Sequence, residues 1–141
     1  MEFIKFIFLY SILLISLIGY GLLFSIRFTK YNNFKNNEIS LGYIGIFGIF
    51  FSILISYLTN LVTPHNNLHN LIFIILGVSF FIYFYIKIKK KIINKYFLLA
   101  YFLSFFSIFY FKSHDDFSYY HLSSIINFTE NKIEFGTHYF D

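Results

Sequence analysis

The chain has no cysteine and no tryptophan, and only one proline, one alanine, one arginine and one methionine. The missing cysteines exclude disulfide scaffolds, thiolate metal sites and cysteine nucleophiles together, and leave the redox compartment undetermined. Charge is scarce as well: Asp, Glu, Lys and Arg make up 13% of the 141 residues, against roughly 25% in soluble domains. Hydrophobic residues reach 57% and aromatic residues 26%, with a mean hydropathy of +0.65. Too few polar side chains remain to cover a compact globule, which disfavours a water-soluble enzyme, a disordered tail and a nucleic-acid-binding module. Most of this chain must have lipid as its solvent, so its net charge of +4 is read as the Lys and Arg surplus of cytoplasmic loops.

Phe, Ile, Tyr, Asn and Lys together account for 81 of the 141 residues. All five can be encoded with A and T alone, so an AT-rich bacterial genome explains the bias toward Phe and Ile at apolar positions. Aromatic stripes therefore carry little functional information here.

A helix rising about 1.5 Å per residue needs about 20 residues to cross about 30 Å of hydrocarbon. Four runs are assigned as spans, at about 6–26, 41–63, 70–88 and 92–111. Leu68 and Ile88 lengthen the third if Lys87 snorkels, and Ile92 and Ile93 lengthen the fourth while Lys95 reaches the interface. No run alternates in polarity as a barrel strand would, so the expected fold class is all-α, a polytopic transmembrane helix bundle. The first span is too long for a signal-peptide core and lacks a small-residue cleavage site, so it is read as a retained helix. Residues 1–112 form the transmembrane region and 113–141 an outer tail.

Connectors 27–40 and 87–95 hold eight of the eleven Lys and Arg residues. They are therefore assigned to the cytoplasm of a bacterial inner membrane, with both termini outside. All five histidines then lie on the outer side, and Glu38 is the one carboxylate in a cytoplasmic loop. Any chemistry is expected outside, although a short loop and a tail must be polar in any case.

Within span two, Gly42, Gly45, Gly48, Ser52, Ser56, Thr59 and Thr63 recur every three or four residues. They fall in one arc of about 120°, a small-residue face for packing against other membrane helices. No Asp, Glu, Lys, Arg or His lies mid-span, so a proton relay or voltage sensor lacks its usual equipment. Pro64 stands where a third helix is expected to start. His65 and His69 share one face of a helical turn there, a spacing that suits a transition metal or simply an interfacial polar cluster.

The stretch F111-K112-S113-H114-D115-D116-F117-S118-Y119-Y120-H121-L122 follows span four directly. Adjacent carboxylates just outside a bilayer can bind a divalent cation, or one can act as general base on an acceptor hydroxyl. Lys112, His114 and His121 could contact a diphosphate. The same aspartates could instead cap a short interfacial helix running to about Phe128. That helix would turn Leu122, Ile125 and Ile126 to lipid and Ser123, Ser124 and Asn127 to water.

At this motif the chain resembles polytopic bacterial membrane proteins of the GT-C glycosyltransferase type, including relatives whose outer loop carries an acidic pair followed by Tyr-His-Leu. The resemblance implies that Asp115 or Asp116 is a catalytic base and that a lipid-linked sugar is the donor; Lys112, His114, Tyr120 and His121 around them are read as substrate-binding. It also implies a juxtamembrane helix after the loop. Such enzymes have many more spans, so the chain is expected to be the N-terminal part of one, its tail a truncated catalytic loop. The alternative is a small non-catalytic four-helix protein, an assembly subunit or scaffold.

Overall fold

The computed structural model describes residues 2–28, 41–88, 95–109 and 121–133. Every regular element among them is a helix: α1 (Glu2–Phe28), α2 (Leu41–Asn60), α3 (Asn67–Ile88), α4 (Lys95–Phe109) and α5 (His121–Glu130). Three of these, over Glu2–Arg27, Leu41–Asn60 and Asn67–Lys87, are long and apolar enough to cross a membrane. Of the fourth expected span, the described residues form a helix over Lys95–Phe109, 15 residues.

The bundle is built around α1, which packs on α2 along one side and α3 along the other. Gly19 and Gly21 make this possible. Two positions apart on a helix face nearly opposite directions at 100° per residue, so each glycine meets a different neighbour. A Cβ at Gly19 would stand 1.9 Å from the Gly77 carbonyl oxygen in α3. One at Gly21 would stand 1.9 Å from the Ile44 carbonyl oxygen in α2 and 3.0 Å from the Gly48 nitrogen. Lipid supplies no hydrophobic drive between helices, so close backbone approach and the dispersion contacts it allows must hold them together.

Bulkier groups close the seam on either side of the glycines. Ile18, Leu22, Ile44, Phe81 and Phe84 form its buried apolar cluster. Tyr20 stacks on Phe73 with ring centroids 4.6 Å apart and donates its hydroxyl to the Phe73 carbonyl oxygen at 2.7 Å. A phenol within a membrane bundle thereby keeps a partner. The N-terminal half of α1 carries α4: Phe105 meets Phe3, Phe6 and Tyr10, and Ser11 shares a hydrogen bond of 2.8 Å with the Tyr101 hydroxyl.

The small-residue face of α2 is narrower than the sequence suggests. Ile44, Gly48, Ser52 and Asn60 are its buried positions, an i, i+4 row of the kind that seats into a neighbouring helix groove. Gly48 lies against the Leu17 carbonyl and Gly21, whereas Gly42 is exposed and a Cβ at Gly45 would meet nothing within 4 Å. Ser56 is half-buried. Close approach is confined to the crossing point near Gly48, so of the expected stripe Gly48 makes the close contact with α1, and Ser52 is buried beyond it.

Span two ends at Asn60 instead of residue 63. Val62 and Thr63 both donate their N–H to the Thr59 carbonyl oxygen, at 3.0 and 2.9 Å, in a closing turn, and Pro64 disfavours helix for the residue before it. Nor does Pro64 start α3. Asn66 does so as N-cap, its Oδ1 accepting the His69 N–H at 2.9 Å, the bond a capping amide makes to the third helical residue. His65 thus precedes the helix and His69 lies within it.

Candidate functional site

The end of α2, the 61–66 connector, the start of α3 and the last turn of α5 meet at one end of the bundle. Asn60 is at the centre and fully buried. Its Nδ2 donates to the Phe128 carbonyl oxygen at 3.1 Å, and its own carbonyl oxygen accepts the Ile133 N–H at 3.0 Å. Phe128 also receives the His65 N–H at 2.9 Å. The last four carbonyls of any helix lack internal partners, so each helix end here is completed by the other's segment. Tyr57 packs edge-on against Phe128, with ring centroids 6.1 Å apart.

The rings of His65 and His69 stack 4.4 Å apart and are tilted by only 11°. His65 Nε2 lies 2.9 Å from the Ser56 carbonyl oxygen, which can only accept, so this nitrogen carries a proton. Thr59 returns its hydroxyl proton to the carbonyl oxygens of Ile55 and Ser56. It therefore meets His69 Nε2, at 3.0 Å, as an acceptor. Both Nε2 atoms are thus committed to oxygen partners on α2. Among the described residues, no three His, Asp or Glu side chains gather around a point that could hold a metal. The histidine pair is a clasp that holds the connector and the first turn of α3 to α2.

Burial, followed by the charge of the neighbouring His69, lowers the pKa of His65 from its ordinary 6.5, and the bond to the Ser56 carbonyl partly offsets this. The folded connector therefore takes up the second proton, the one that charges the ring, less readily than an unfolded chain does. Its contribution to stability is fully present above pH 6.5 and declines as pH falls below it. We expect a nitroxide attached at Glu130→Cys, on a chain with no other thiol, to gain mobility as pH drops from 7.5 to 5.5. The same label in a His65→Gln chain is expected to show a flatter response.

Beside this clasp is a cavity of about 420 Å³ between α2 and α5, within the roughly 300–1,000 Å³ of small-molecule sites. Ser56, His65, Asn70 and Thr129 give it polar edges, and Ile53, Tyr57, Ile125 and Phe128 give it apolar walls. Among the described residues, no Asp, Glu, Lys or Arg lines it. Ser52 and Asn60 also border it, and their Oγ and Oδ1 atoms are buried without a hydrogen-bond partner among the described residues.

Of the residues singled out in the sequence, His121 is the exposed first residue of α5. Lys112, His114, Asp115, Asp116 and Tyr120 lie outside the described residues, as does any cation site on the aspartates. Leu122, Ile125 and Ile126 are exposed apolar positions on α5, and Ile125 also borders the cavity. Asn60 and Asn70 were not expected at a site. The available signal was an amide ending an otherwise apolar run. Searches of family models, curated proteins and solved structures return no match to the chain.

Proposed function

We propose that the chain is an integral protein of a bacterial cytoplasmic membrane that works at its outer face. In this reading it is the N-terminal part of a GT-C-like glycosyltransferase taking a lipid-linked sugar donor in envelope glycan or glycolipid assembly. Four spans leave both termini outside. Asp115 or Asp116 is the base that takes the proton from the acceptor hydroxyl as the bond from sugar to lipid phosphate breaks.

The observation that carries this reading is the unlike chemistry of the two bundle ends. Arg27 and Lys87 close α1 and α3, which run parallel with Gly19 against Gly77. The opposite end holds the His65–His69 clasp and α5. Basic side chains favour the cytoplasmic side, which supports an outer position for the helix following the acidic pair. A docked helix after an acidic loop is also what the resemblance to GT-C enzymes implies.

Removing a general base costs about 10²–10⁴ in rate. Asp115→Asn and Asp116→Asn are therefore made in the whole protein, and transfer of labelled sugar from a lipid-linked donor is measured in membranes. Loss of at least about 100-fold in one of them, at unchanged protein level, supports the enzyme. Unaltered transfer in both removes it.

The second reading is a non-catalytic assembly subunit. It is favoured by the exposure of Gly42 and the open space beside Gly45, which leave part of the small-residue face free for a helix from a partner.

A further inference from the structure

We propose that the His65–His69 pair is a two-step acid latch on α5. It holds one excess proton, on His69, while α5 stays docked, and it releases α5 when His65 accepts a second. The latch does not depend on the acidic pair or on any transfer activity.

The surroundings of His69 suit a charged ring. Its Nε2 faces the Thr59 hydroxyl at 3.0 Å, and that oxygen accepts because its own proton goes to the Ile55 and Ser56 carbonyls. Its Nδ1 lies 3.4 Å from Asn70 Oδ1. The orientation of that amide is fixed, since its Nδ2 donates to the His65 carbonyl oxygen at 3.0 Å. A neutral imidazole has one N–H and leaves one of the two oxygens without a donor, whereas an imidazolium donates to both. Phe73 lies nearly parallel to the same ring, with centroids 6.3 Å apart and a tilt of 20°.

His65 has no such arrangement. Its Nε2 donates to the Ser56 carbonyl oxygen at 2.9 Å, and its Nδ1 meets no acceptor among the described residues. A charge on His65 would also face the charge on His69, with the ring centroids 4.4 Å apart. Two like charges at about 4 Å delay a titration by about half a pH unit even at the dielectric constant of water, and by more in a half-buried site. Among the described residues no opposite charge offsets this. Tyr57 on α2 contributes only a phenol to the shared cavity, and Glu130 and Lys132 at the end of α5 form no ion pair with either ring.

The second charge reaches α5 through the backbone. His65 donates its N–H to the Phe128 carbonyl oxygen at 2.9 Å, so a connector pushed away from His69 loses its bond to α5. Ile125, Phe128 and Thr129 wall the cavity on the α5 side, and undocking opens that side.

The whole chain is placed in phosphatidylcholine nanodiscs with isotope-labelled histidine, and imidazole NMR follows each ring through an acid titration. Rings are assigned by their loss in His65→Gln and His69→Gln. A nitroxide at Glu130→Cys reports α5 over the same titration. His69 is expected to charge first with the nitroxide still immobile, and mobility is expected to follow the charging of His65. In His69→Gln the two readouts should part: His65 charges at a pH at least about 0.5 unit higher, yet the nitroxide stays immobile to a lower pH than in the parent, because the charge on His65 now meets no opponent. A purely structural clasp gives the reverse, release at a higher pH, since the variant has lost the imidazole bond to Thr59. That reversal overturns the latch. So does a His65 ring that charges before His69, or mobility that tracks the charging of His69, and both are read in the parent chain even where His69→Gln fails to fold.

Discussion

Gly21→Leu is expected to separate α2 from α1 and to cost at least about 3 kcal/mol, the upper end of what overpacking usually costs. A Cβ there would stand 1.9 Å from the Ile44 carbonyl oxygen, and that obstacle is backbone, which cannot rotate aside as a side chain can. Gly21→Ala is the sharper version. Alanine gains about 1 kcal/mol of helix propensity over glycine, so a net loss of stability would show that the clash outweighs it. Gly45→Leu is the control, since a Cβ there meets open space. Unfolding in mixed micelles by added SDS gives the comparison. Equal stability of the Gly21 and Gly45 variants would refute a seam held by glycine contact.

Asn60→Asp is expected to release α5 from the bundle at neutral pH. The substitution keeps the shape but replaces the Nδ2 donor with an oxygen that faces the Phe128 carbonyl, 3.1 Å away in the parent. Asn60 is fully buried, so an ionised carboxylate there loses its hydration and gains no cation, a cost of several kcal/mol. Protonation restores an O–H that can donate to Phe128. The difference from the parent should therefore shrink as pH falls, even though the parent's own docking weakens as His65 takes up its proton. The nitroxide at Glu130→Cys reads both trends in one series. A variant as immobile as the parent at pH 7.5 would show that the Asn60–Phe128 bond does not hold the helix.

The sequence marks three of the membrane-long helices to within a few residues, because a lipid solvent writes itself into uninterrupted apolar runs. It reads the local competition at their ends less well. Proline alone suggests a helix start at Pro64, whereas the Asn66 amide, able to reach the His69 N–H, wins the cap. Packing was half legible. A periodic face on α2 includes Gly48 and Ser52, yet the decisive contacts also use Gly19, Gly21 and Gly77, whose pairing depends on which helices become neighbours. The polar cluster illustrates the same limit. His65 and His69 are visible as a pair at helical spacing. That the pair folds back on Ser56 and Thr59, 9 and 10 residues earlier, depends on how the connector turns, and the bond from Asn60 to Phe128 closes 68 residues apart and leaves no periodic trace.

Because α2 and α3 each lie against α1 and make little contact with each other, the order of synthesis matches the order of assembly. Of these three helices, the one made first is the one on which the other two settle. A nascent chain arrested soon after Asn60 would already own one complete seam at the translocon, and α3 could then join at the vacant flank without displacing anything already in position.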